Sequence, residues 1–160
     1  MILSLSVLGL AWAQSVPNGS FETGDLPPWE AQVGGGWFGS VGVVDTWTGA
    51  PQPFPHGDFV LSMDDDSIVC SGELVVTRQE LSVEHSRSFL SPDAFFVTVE
   101  SANDGIDHDV TNTAVGNWSR HDLEIEPLCG QTVTVCMAIE SGQHWFDRVR
   151  LRGRVPVVTG

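Results

Sequence analysis

The sequence contains no lysine and no tyrosine. Its seven basic residues are all arginines, they stand against 21 acidic residues, and the formal net charge at pH 7 is −14. A surface of this charge repels phosphate backbones and anionic lipid head groups, so nucleic acid is excluded as an expected partner. The apolar run Met1–Ala13 is shorter than the about 20 residues that cross a bilayer, so no membrane insertion is expected.

The sequence also lacks a sustained helical period of apolar residues, whereas several segments alternate with period two. With 17 glycines, nine prolines, six tryptophans and eight phenylalanines, this pattern predicts short strands joined by turns. We expect an all-β domain of about eight or nine strands, arranged as a two-sheet β-sandwich of the jelly-roll kind. The expected strands include Glu73–Val83, Asp93–Ser101, Gln131–Glu140 and His144–Arg152, whereas Asp45–Gly57 and Asn103–Asp109 are expected loops.

Only three cysteines are present, and no Cys-x-x-Cys or Cys/His spacing suggests zinc. Cysteines fit an oxidising compartment, but three is an odd number. Cys129 and Cys136 are not expected to pair, because the expected strand from Gln131 places five extended residues, a span of roughly 16 Å, before Cys136, and a disulfide needs Cα atoms closer than about 7 Å. Cys70 is therefore expected to pair with Cys136 or with Cys129, and the remaining thiol stays free.

The N-terminal segment 1–13 ends in Ala11-Trp12-Ala13, which is typical of a signal peptide cleaved after Ala13. The alternative is that this segment forms a native first strand. We expect a secreted protein, extracellular or in the cell envelope, with a binding domain over 14–153 and a flexible tail over 154–160.

Three fragments together carry a resemblance to a known family. Asn18–Glu22 followed by Trp29 resembles the "NGxFE…W" motif of bacterial galactose-binding-like β-jelly-roll modules, the fold of many carbohydrate-binding modules. Trp118–Val133 resembles the "W…dL…laGqtv" segment of that family, and Phe146–Leu151 resembles its closing "fDdVrl". The resemblance covers Val16–Gly153 and implies two sheets packed face to face, with adjacent first and last strands.

The resemblance also implies a structural calcium ion between the two ends of the domain. Glu22 matches the glutamate of "FE" and Asp147 the first aspartate of "DDV", so both are expected side-chain ligands. Backbone carbonyls near Asn18 and Ser20 would complete the oxygen shell that calcium prefers. Arg148 departs from the family, which usually has a second aspartate there, and the alternative is a metal-free site in which Arg148 pairs with Glu22.

The ligand of such a module would be a glycan or polysaccharide, because sugar rings stack on exposed aromatic side chains while polar groups bind the hydroxyls. The expected ligand-binding residues lie in the variable loops: Trp37, Trp47, Phe38, Asp45 and His56. No catalytic residue is assigned, since Gly34–Gly36 has no following lysine and the sequence has no nucleophile elbow. The first hypothesis is therefore a secreted non-catalytic binding module, and a larger secreted assembly is a further candidate partner. The alternatives are a structural or adhesive cell-envelope domain and, more distantly, a small glycan hydrolase.

Overall fold

A computed structural model describes residues 16–33, 41–45 and 49–155. The predicted signal peptide, most of the predicted tail, and the side chains of Trp37, Phe38 and Trp47 lie outside these residues. Within them, every regular element is a strand except a short 3-10 helix at Glu126–Leu128. The strands are β1 Glu30–Val33, β2 Val41–Val44, β3 Val60–Asp64, β4 Ser67–Cys70, β5 Leu74–Val75, β6 Glu80–Arg87, β7 Ala94–Glu100, β8 Gly105–Thr111, β9 Ser119–Glu124, β10 Thr132–Ile139 and β11 Gln143–Arg152.

The strands form two antiparallel sheets. The first sheet has the order β1-β4-β10-β7-β8, and β5 also pairs with β10. The second sheet has the order β2-β3-β11-β6-β9, so the last strand of the domain lies at its centre. The all-β sandwich predicted from the sequence is confirmed. Over the described residues, no helix has the length and hydropathy required to cross a bilayer.

The main core lies between the two sheets and is built from alternate residues of each strand. In β7 the side chains of Phe95, Val97 and Val99 are fully buried, whereas their neighbours point away from the core. The same alternation buries four side chains of β10 and two of β6: Val133, Val135, Met137, Ile139, Leu81 and Val83. In β11 the side chains of Phe146 and Val149 are buried, three residues apart. The period-two pattern of the sequence therefore predicted correctly which side of β7 and which side of β10 face the core.

A smaller apolar cluster lies on the outer face of the second sheet. Trp145 precedes the core residue Phe146 in β11, so its ring projects to the opposite side of the sheet. There it packs with Phe54, which belongs to the loop 49–59. The indole of Trp118 lies edge-on to the Phe54 ring at 6.1 Å and donates a hydrogen bond to the Pro51 carbonyl at 2.8 Å. The loop 49–59 is thus held across this face by aromatic contacts.

The disulfide joins Cys70 to Cys136, which confirms one of the two predicted pairings. These residues face each other in the β4–β10 ladder, and their Cα atoms are 4.0 Å apart. Cys129 is a half-buried free thiol whose Sγ lies 3.4 Å from the Arg78 carbonyl oxygen. The bond therefore links two neighbouring strands of the first sheet on its outer face.

Two segment predictions are wrong. The segment Glu73–Val83 is not one strand, because Leu74–Val75 belongs to the first sheet and Glu80–Arg87 to the second. The chain crosses between the sheets over 76–79, and the buried apolar positions change there from even (Leu74, Val76) to odd (Leu81, Val83). The acidic segment Asn103–Asp109 is not a loop throughout, because β8 begins at Gly105 and buries Val110 while Asp107 and Asp109 remain exposed.

Candidate functional site

The segment Val16–Trp29, here called the clasp, is a series of turns that precedes β1. The Asn18 side-chain amide donates hydrogen bonds to the carbonyls of Asp25 and Pro27, at 2.8 Å and 3.2 Å. The rings of Phe21 and Trp29 are buried in the main core, with their centroids 5.6 Å apart. The clasp therefore folds on itself and is anchored by two aromatic side chains.

The clasp, rather than a first strand, meets the last strand. Among the described strands, β1 pairs with β4 and does not pair with β11, which departs from the adjacency that the resemblance implied. Instead, the Val149 amide donates a hydrogen bond to the Gly19 carbonyl at 2.8 Å. A Cβ atom on Gly19 would overlap the Val149 carbonyl oxygen, so a glycine is required for this close approach.

β11 is interrupted by a bulge where it meets the clasp. Its register against β6 shifts between Asp147 and Arg150, and Arg148 has a left-handed backbone with φ of 47°. A bulge inserts an extra residue and redirects the side chains around it. As a result Phe146 and Val149 both point into the main core, while the Asp147 and Arg150 side chains lie on the outer side.

The Glu22 carboxylate binds the end of the loop 49–59. It accepts hydrogen bonds from the backbone amides of Asp58 and Phe59, both at 3.1 Å. Gly57 lies against this carboxylate with φ of 63°, and a Cβ atom there would overlap it. The loop is thus shaped to bring two N–H donors to Glu22.

The Asp147 carboxylate is fully buried beneath the same loop. Its Oδ2 accepts the His56 amide hydrogen at 2.9 Å, and its Oδ1 accepts the Arg148 amide hydrogen at 2.7 Å. Burial raises the pKa of Asp147 to about 7, and the negative charges of Glu84 and Glu22 act in the same direction, while the two amide hydrogen bonds oppose the rise. A cation beside this group would favour its ionised form.

The structure therefore brings together several residues of the predicted calcium site. Glu22 and Asp147 bind nearby amides of one loop. Asn18 and Ser20 line an open cleft that is also lined by Arg148 and by His56, whose amide binds Asp147. The alternative Arg148–Glu22 pair is wrong: the Arg148 Nε atom lies 3.8 Å from a Glu84 carboxylate oxygen instead. Within the described ranges, no group of three or more His, Cys, Asp or Glu side chains has an arrangement suited to a metal.

Of the predicted ligand-binding residues, Asp45 and His56 are exposed, and the other three lie outside the described residues. Asp45 follows β2 directly. His56 lines the same open cleft, of about 280 Å³, together with Val16, Asn18, Gly19, Ser20, Arg148, Val149 and Arg150.

The sequence reasoning missed a polar surface on the outer face of the second sheet. In β6, Ser82, Glu84 and Ser86 alternate with the core residues Leu81 and Val83 and therefore project outward. Several atoms of this face are buried and have no hydrogen-bond partner in the part of the chain that the structure describes. They are the hydroxyls of Ser82 and Ser86, Glu84 Oε2, Trp145 Nε1, Arg150 Nε and Arg152 Nη1.

This surface had a signal in the sequence, because serines at alternate positions of an apolar strand mark a face that is buried but polar. Buried hydroxyl and N–H groups are normally hydrogen-bonded, so each group without a partner requires an explanation. A ligand or ordered water that contacts this face would supply the missing partners.

A second buried polar cluster lies inside the sandwich. His85 and His144 are fully buried, and a hydrogen bond of 2.8 Å joins His85 Nε2 to His144 Nδ1. The Asn112 amide lies 2.8 Å from His85 Nδ1, and the His144 Nε2 atom lies 3.0 Å from the Ser141 carbonyl oxygen. Burial lowers the pKa of His85 to about 2, with smaller contributions from His144, His121 and Arg87. The cluster is enclosed and neutral, which is the environment of a structural rather than a catalytic pair.

No protein-family model matches the chain, and no curated protein sequence matches it. Among solved structures, TmCBM61 in complex with β-1,4-galactotriose is 17% identical with a TM-score of 0.59, over 86% of this chain and 96% of that chain. The K1 cleaved adhesin domain of Lys-gingipain from Porphyromonas gingivalis W83 is 12% identical with a TM-score of 0.60, over 84% of this chain and 96% of that chain. The CBM22-1 xylan-binding domain of Paenibacillus barcinonensis Xyn10C is 16% identical with a TM-score of 0.56, over 87% of this chain and 94% of that chain.

Three further matches are larger proteins, of which the chain covers 20%, 23% and 28%. At these identities the likeness concerns the fold. The chain therefore has the β-sandwich fold of carbohydrate-binding modules and adhesin domains, in agreement with the galactose-binding-like jelly roll that the sequence motifs indicated.

Proposed function

We propose that this protein is a secreted, non-catalytic carbohydrate-binding module with a structural calcium site. The observation that carries the proposal is the outer face of the second sheet, where Ser82, Ser86, Arg150 and Arg152 hold buried polar atoms that have no hydrogen-bond partner in the described structure. Such groups can bind sugar hydroxyls. The ring surface that sugars also need would come from the predicted loop residues Trp37 and Trp47, because Trp145 is packed beneath Phe54. The fold is also shared with modules solved in complex with β-1,4-galactotriose or described as xylan-binding.

The non-catalytic role is supported by the contacts of four carboxylates on or beside the second sheet. Asp147 and Glu22 each accept two backbone amide hydrogen bonds. Glu84 and Asp122 each lie within ion-pair distance of an arginine. Hydrolysis of a glycoside requires one carboxyl group that donates a proton and another that acts as base or nucleophile, and these groups are engaged in structural contacts.

Secretion is supported by the Ala-x-Ala pattern at Ala13 and by the Cys70–Cys136 disulfide, since disulfides persist in oxidising compartments. A role in a larger secreted assembly is supported by three structural neighbours that are larger proteins, of which the chain covers 20%, 23% and 28%. The alternative function is an adhesive or structural cell-envelope domain, which the adhesin neighbour favours.

The calcium ion would be held by the Glu22 and Asp147 carboxylates with carbonyl oxygens of the clasp near Asn18 and Ser20. These donors fit because all are oxygens, as calcium requires, and because the Asp147 carboxylate is buried without a cationic side chain bonded to it in the described structure. The bound ion would supply the counter-charge for this carboxylate and fasten the clasp to β11.

Calcium should therefore raise the melting temperature, because a ligand that binds only the folded state stabilises it. At a free concentration 100 times the Kd, the expected gain is about 2.7 kcal/mol. Differential scanning fluorimetry with calcium and with a chelator measures the shift. The matched variants Glu22→Gln and Asp147→Asn should lose most of it, while Glu30→Gln, an exposed change in β1, should retain it. A full shift in both site variants would refute the site.

Glycan binding is tested with a glycan array followed by titration calorimetry on the positive glycans. Ser82→Ala and Ser86→Ala should weaken binding by about tenfold each, the cost of one hydrogen bond. Trp37→Ala and Trp47→Ala test the predicted loop rings. Thr111→Ala, an exposed change in β8 on the other sheet, is the matched control. Absence of binding to every glycan would favour the adhesive alternative, and turnover of a polysaccharide by the pure protein would contradict a non-catalytic role.

A further inference from the structure

The positive charge of this protein is concentrated on one surface. Of its seven arginines, Arg120, Arg148, Arg150 and Arg152 lie on β9 and β11 of the second sheet. Arg150 and Arg152 alternate with Val149 and Leu151, which pack in or against the main core, so these two arginines project from the outer face. We call this set of four the arginine face.

The other three arginines are placed differently. The Arg78 and Arg87 guanidinium groups donate hydrogen bonds to backbone carbonyls, including that of Gly153 at 3.2 Å and that of Asn112 at 2.8 Å. Arg154 is exposed beyond the end of β11. The arginine face is therefore the main cationic surface on a protein with a net charge of −14.

Only two arginines of the arginine face form ion pairs with acidic residues in the described structure. Arg148 pairs with Glu84 at 3.8 Å, and Arg120 with Asp122 at 3.3 Å. Within the described ranges, Arg150 and Arg152 form no ion pair, and Arg150 Nε and Arg152 Nη1 are buried without a hydrogen-bond partner. Burial, together with the nearby charges of Arg148 and Arg152, lowers the pKa of Arg150, yet a guanidinium remains charged in proteins.

The groups around these two arginines suit an oxyanion with attached hydroxyls. Ser82 lies directly opposite Arg150 in the β6–β11 ladder, and its buried hydroxyl is also without a partner. The open cleft of about 280 Å³ begins beside Arg148 and Arg150 and continues past Asn18 and Ser20. Guanidinium groups bind planar carboxylates through two parallel hydrogen bonds, which is the strongest recognition available to an arginine.

We infer that the glycan bound by this protein is acidic, a uronic-acid oligosaccharide whose carboxylate binds Arg150 and Arg152 while its hydroxyls bind Ser82 and the cleft. This inference rests on the proposed carbohydrate-binding function and names the class of its ligand. β-1,4-galactotriose, the ligand in the TmCBM61 structure, carries no carboxylate, so the arginine face would distinguish this chain from that module.

The net charge of −14 does not oppose this assignment at physiological ionic strength. The Debye length is about 8 Å in 0.15 M salt, so charges on distant surfaces are largely screened, whereas contacts within the arginine face are not. The acidic remainder of the surface would instead disfavour polyanions that approach elsewhere.

The inference is tested by titration calorimetry in 0.15 M salt with trisaccharides of galacturonic, glucuronic and mannuronic acid. Each is compared with its methyl ester, which removes the charge and keeps the sugar ring. At least one acid should bind, and its ester should bind at least about tenfold more weakly, as expected for the loss of charge-assisted hydrogen bonds. Arg150→Gln and Arg152→Gln should each weaken binding by about 10- to 100-fold.

Arg154→Gln is the matched control, because it removes the same charge from an exposed residue beyond the end of β11. It should change the affinity by less than about twofold, since an exposed charge that forms no direct contact with the ligand contributes little. The melting temperature of each variant shows that it is folded. Binding of neutral glycans that is unaffected by Arg150→Gln would overturn the inference and leave the proposed function in place. Absence of binding to any neutral or acidic glycan would overturn both, and a preference for a sulfated oligosaccharide over every uronate would overturn the assignment of the carboxylate.

Discussion

Acidification should destabilise this protein through His85, whose ring is buried among aromatic side chains. Its centroid lies 4.2 Å from that of Phe95 and 4.9 Å from that of Phe146, and its two nitrogens face His144 and Asn112. Burial lowers the pKa of His85 from 6.5 to about 2. The folded state therefore keeps the ring neutral, while the unfolded chain takes up a proton below pH 6.5.

The size of the effect follows from this difference in proton uptake. The stability that neutral His85 contributes is fully present above pH 6.5 and falls as the pH decreases towards about 2. Each pH unit in this range corresponds to about 1.4 kcal/mol, so at pH 4.5 the loss is about 3 kcal/mol. Burial also lowers the pKa values of His144 and His121, which add to the loss in the same direction.

The buried Asp147 carboxyl changes stability with pH in the direction opposite to the histidines. The contribution of His85 is therefore measured as the difference between the unfolding free energies of the wild type and of a His85 variant. The raised pKa of Asp147, about 7, makes the folded state bind a proton first and gain stability as the pH falls from 7 towards 3.8. Urea unfolding of the wild type and of His85→Gln at pH 7.5 and 4.5 removes this common contribution. The wild type should lose about 3 kcal/mol more than the variant.

His56→Gln is the matched control, because the His56 ring is exposed, and it should follow the wild type at both pH values. Direct titration of the wild-type histidine ring protons by NMR provides a second measurement if His85→Gln does not fold. Two results would contradict this prediction. One is a difference in unfolding free energy between wild type and His85→Gln that is the same at both pH values. The other is a His85 ring that titrates near 6.5 in the folded protein.

Further predictions concern the connections that hold the domain together. Gly19→Ala should destabilise the fold by about 1–3 kcal/mol because the new Cβ overlaps the Val149 carbonyl, whereas Gly42→Ala, with open space around it, should cost less than about 1 kcal/mol; equal urea midpoints for the two would contradict the close approach of clasp and β11. Replacing Cys70 and Cys136 together by alanine should cost about 4 kcal/mol, because the bond closes a loop with a sequence separation of 66 residues. Cys129→Ala should change stability by less than about 1 kcal/mol, and an equal loss in both would show that the disulfide is not the cause. Burial raises the pKa of the Cys129 thiol, so it should react more slowly with a thiol reagent at pH 8 than a free cysteine peptide does.

The strands that the sequence predicted correctly are those whose apolar residues alternate over a long segment. β7 and β10 each bury every second side chain, and this pattern does not depend on what the partner strand contains. β4 was not predicted, because Ser67–Cys70 is short and follows three aspartates. Its strand conformation depends on pairing with β10 on one side and β1 on the other, which are contacts that a local pattern does not contain.

The same limit explains the two wrong segment predictions. The buried apolar positions change from even (Leu74, Val76) to odd (Leu81, Val83) where the chain passes from one sheet to the other between β5 and β6. This change of phase does not show which sheet each part joins, since both sheets face the same core. In β8 the exposed aspartates concealed the inward positions of Ile106 and Val110, because one side of an edge strand is free to be acidic.

For the candidate site, the resemblance to the family predicted that Glu22 and Asp147 share one calcium ion. In the structure both carboxylates bind backbone amides of the loop 49–59. The alternate serines of β6 indicate one part of the polar outer face. The sequence does not show the face as a whole, because its other groups come from β9 and β11, which are distant in the sequence and become neighbours of β6 only in the sheet. The bulge at Arg148 was also unpredicted. Because of it, the Asp147 side chain lies on the outer side of β11 although the side chain of Val149, two residues later, points into the core.

The central position of β11 has a consequence for the synthesis of the chain. β3 and β6 each pair with β11 and not with each other. The second sheet therefore lacks its central strand until the segment up to Arg152 has emerged from the ribosome. Non-local pairing of this kind is slow, because the closure of long loops precedes the contacts that stabilise them. Until then the nascent chain exposes an unpaired edge on β3 and another on β6, and exposed strand edges promote aggregation. The second sheet therefore assembles only after β11 is available, and a chain that stops before Gln143 lacks the strand around which this sheet forms.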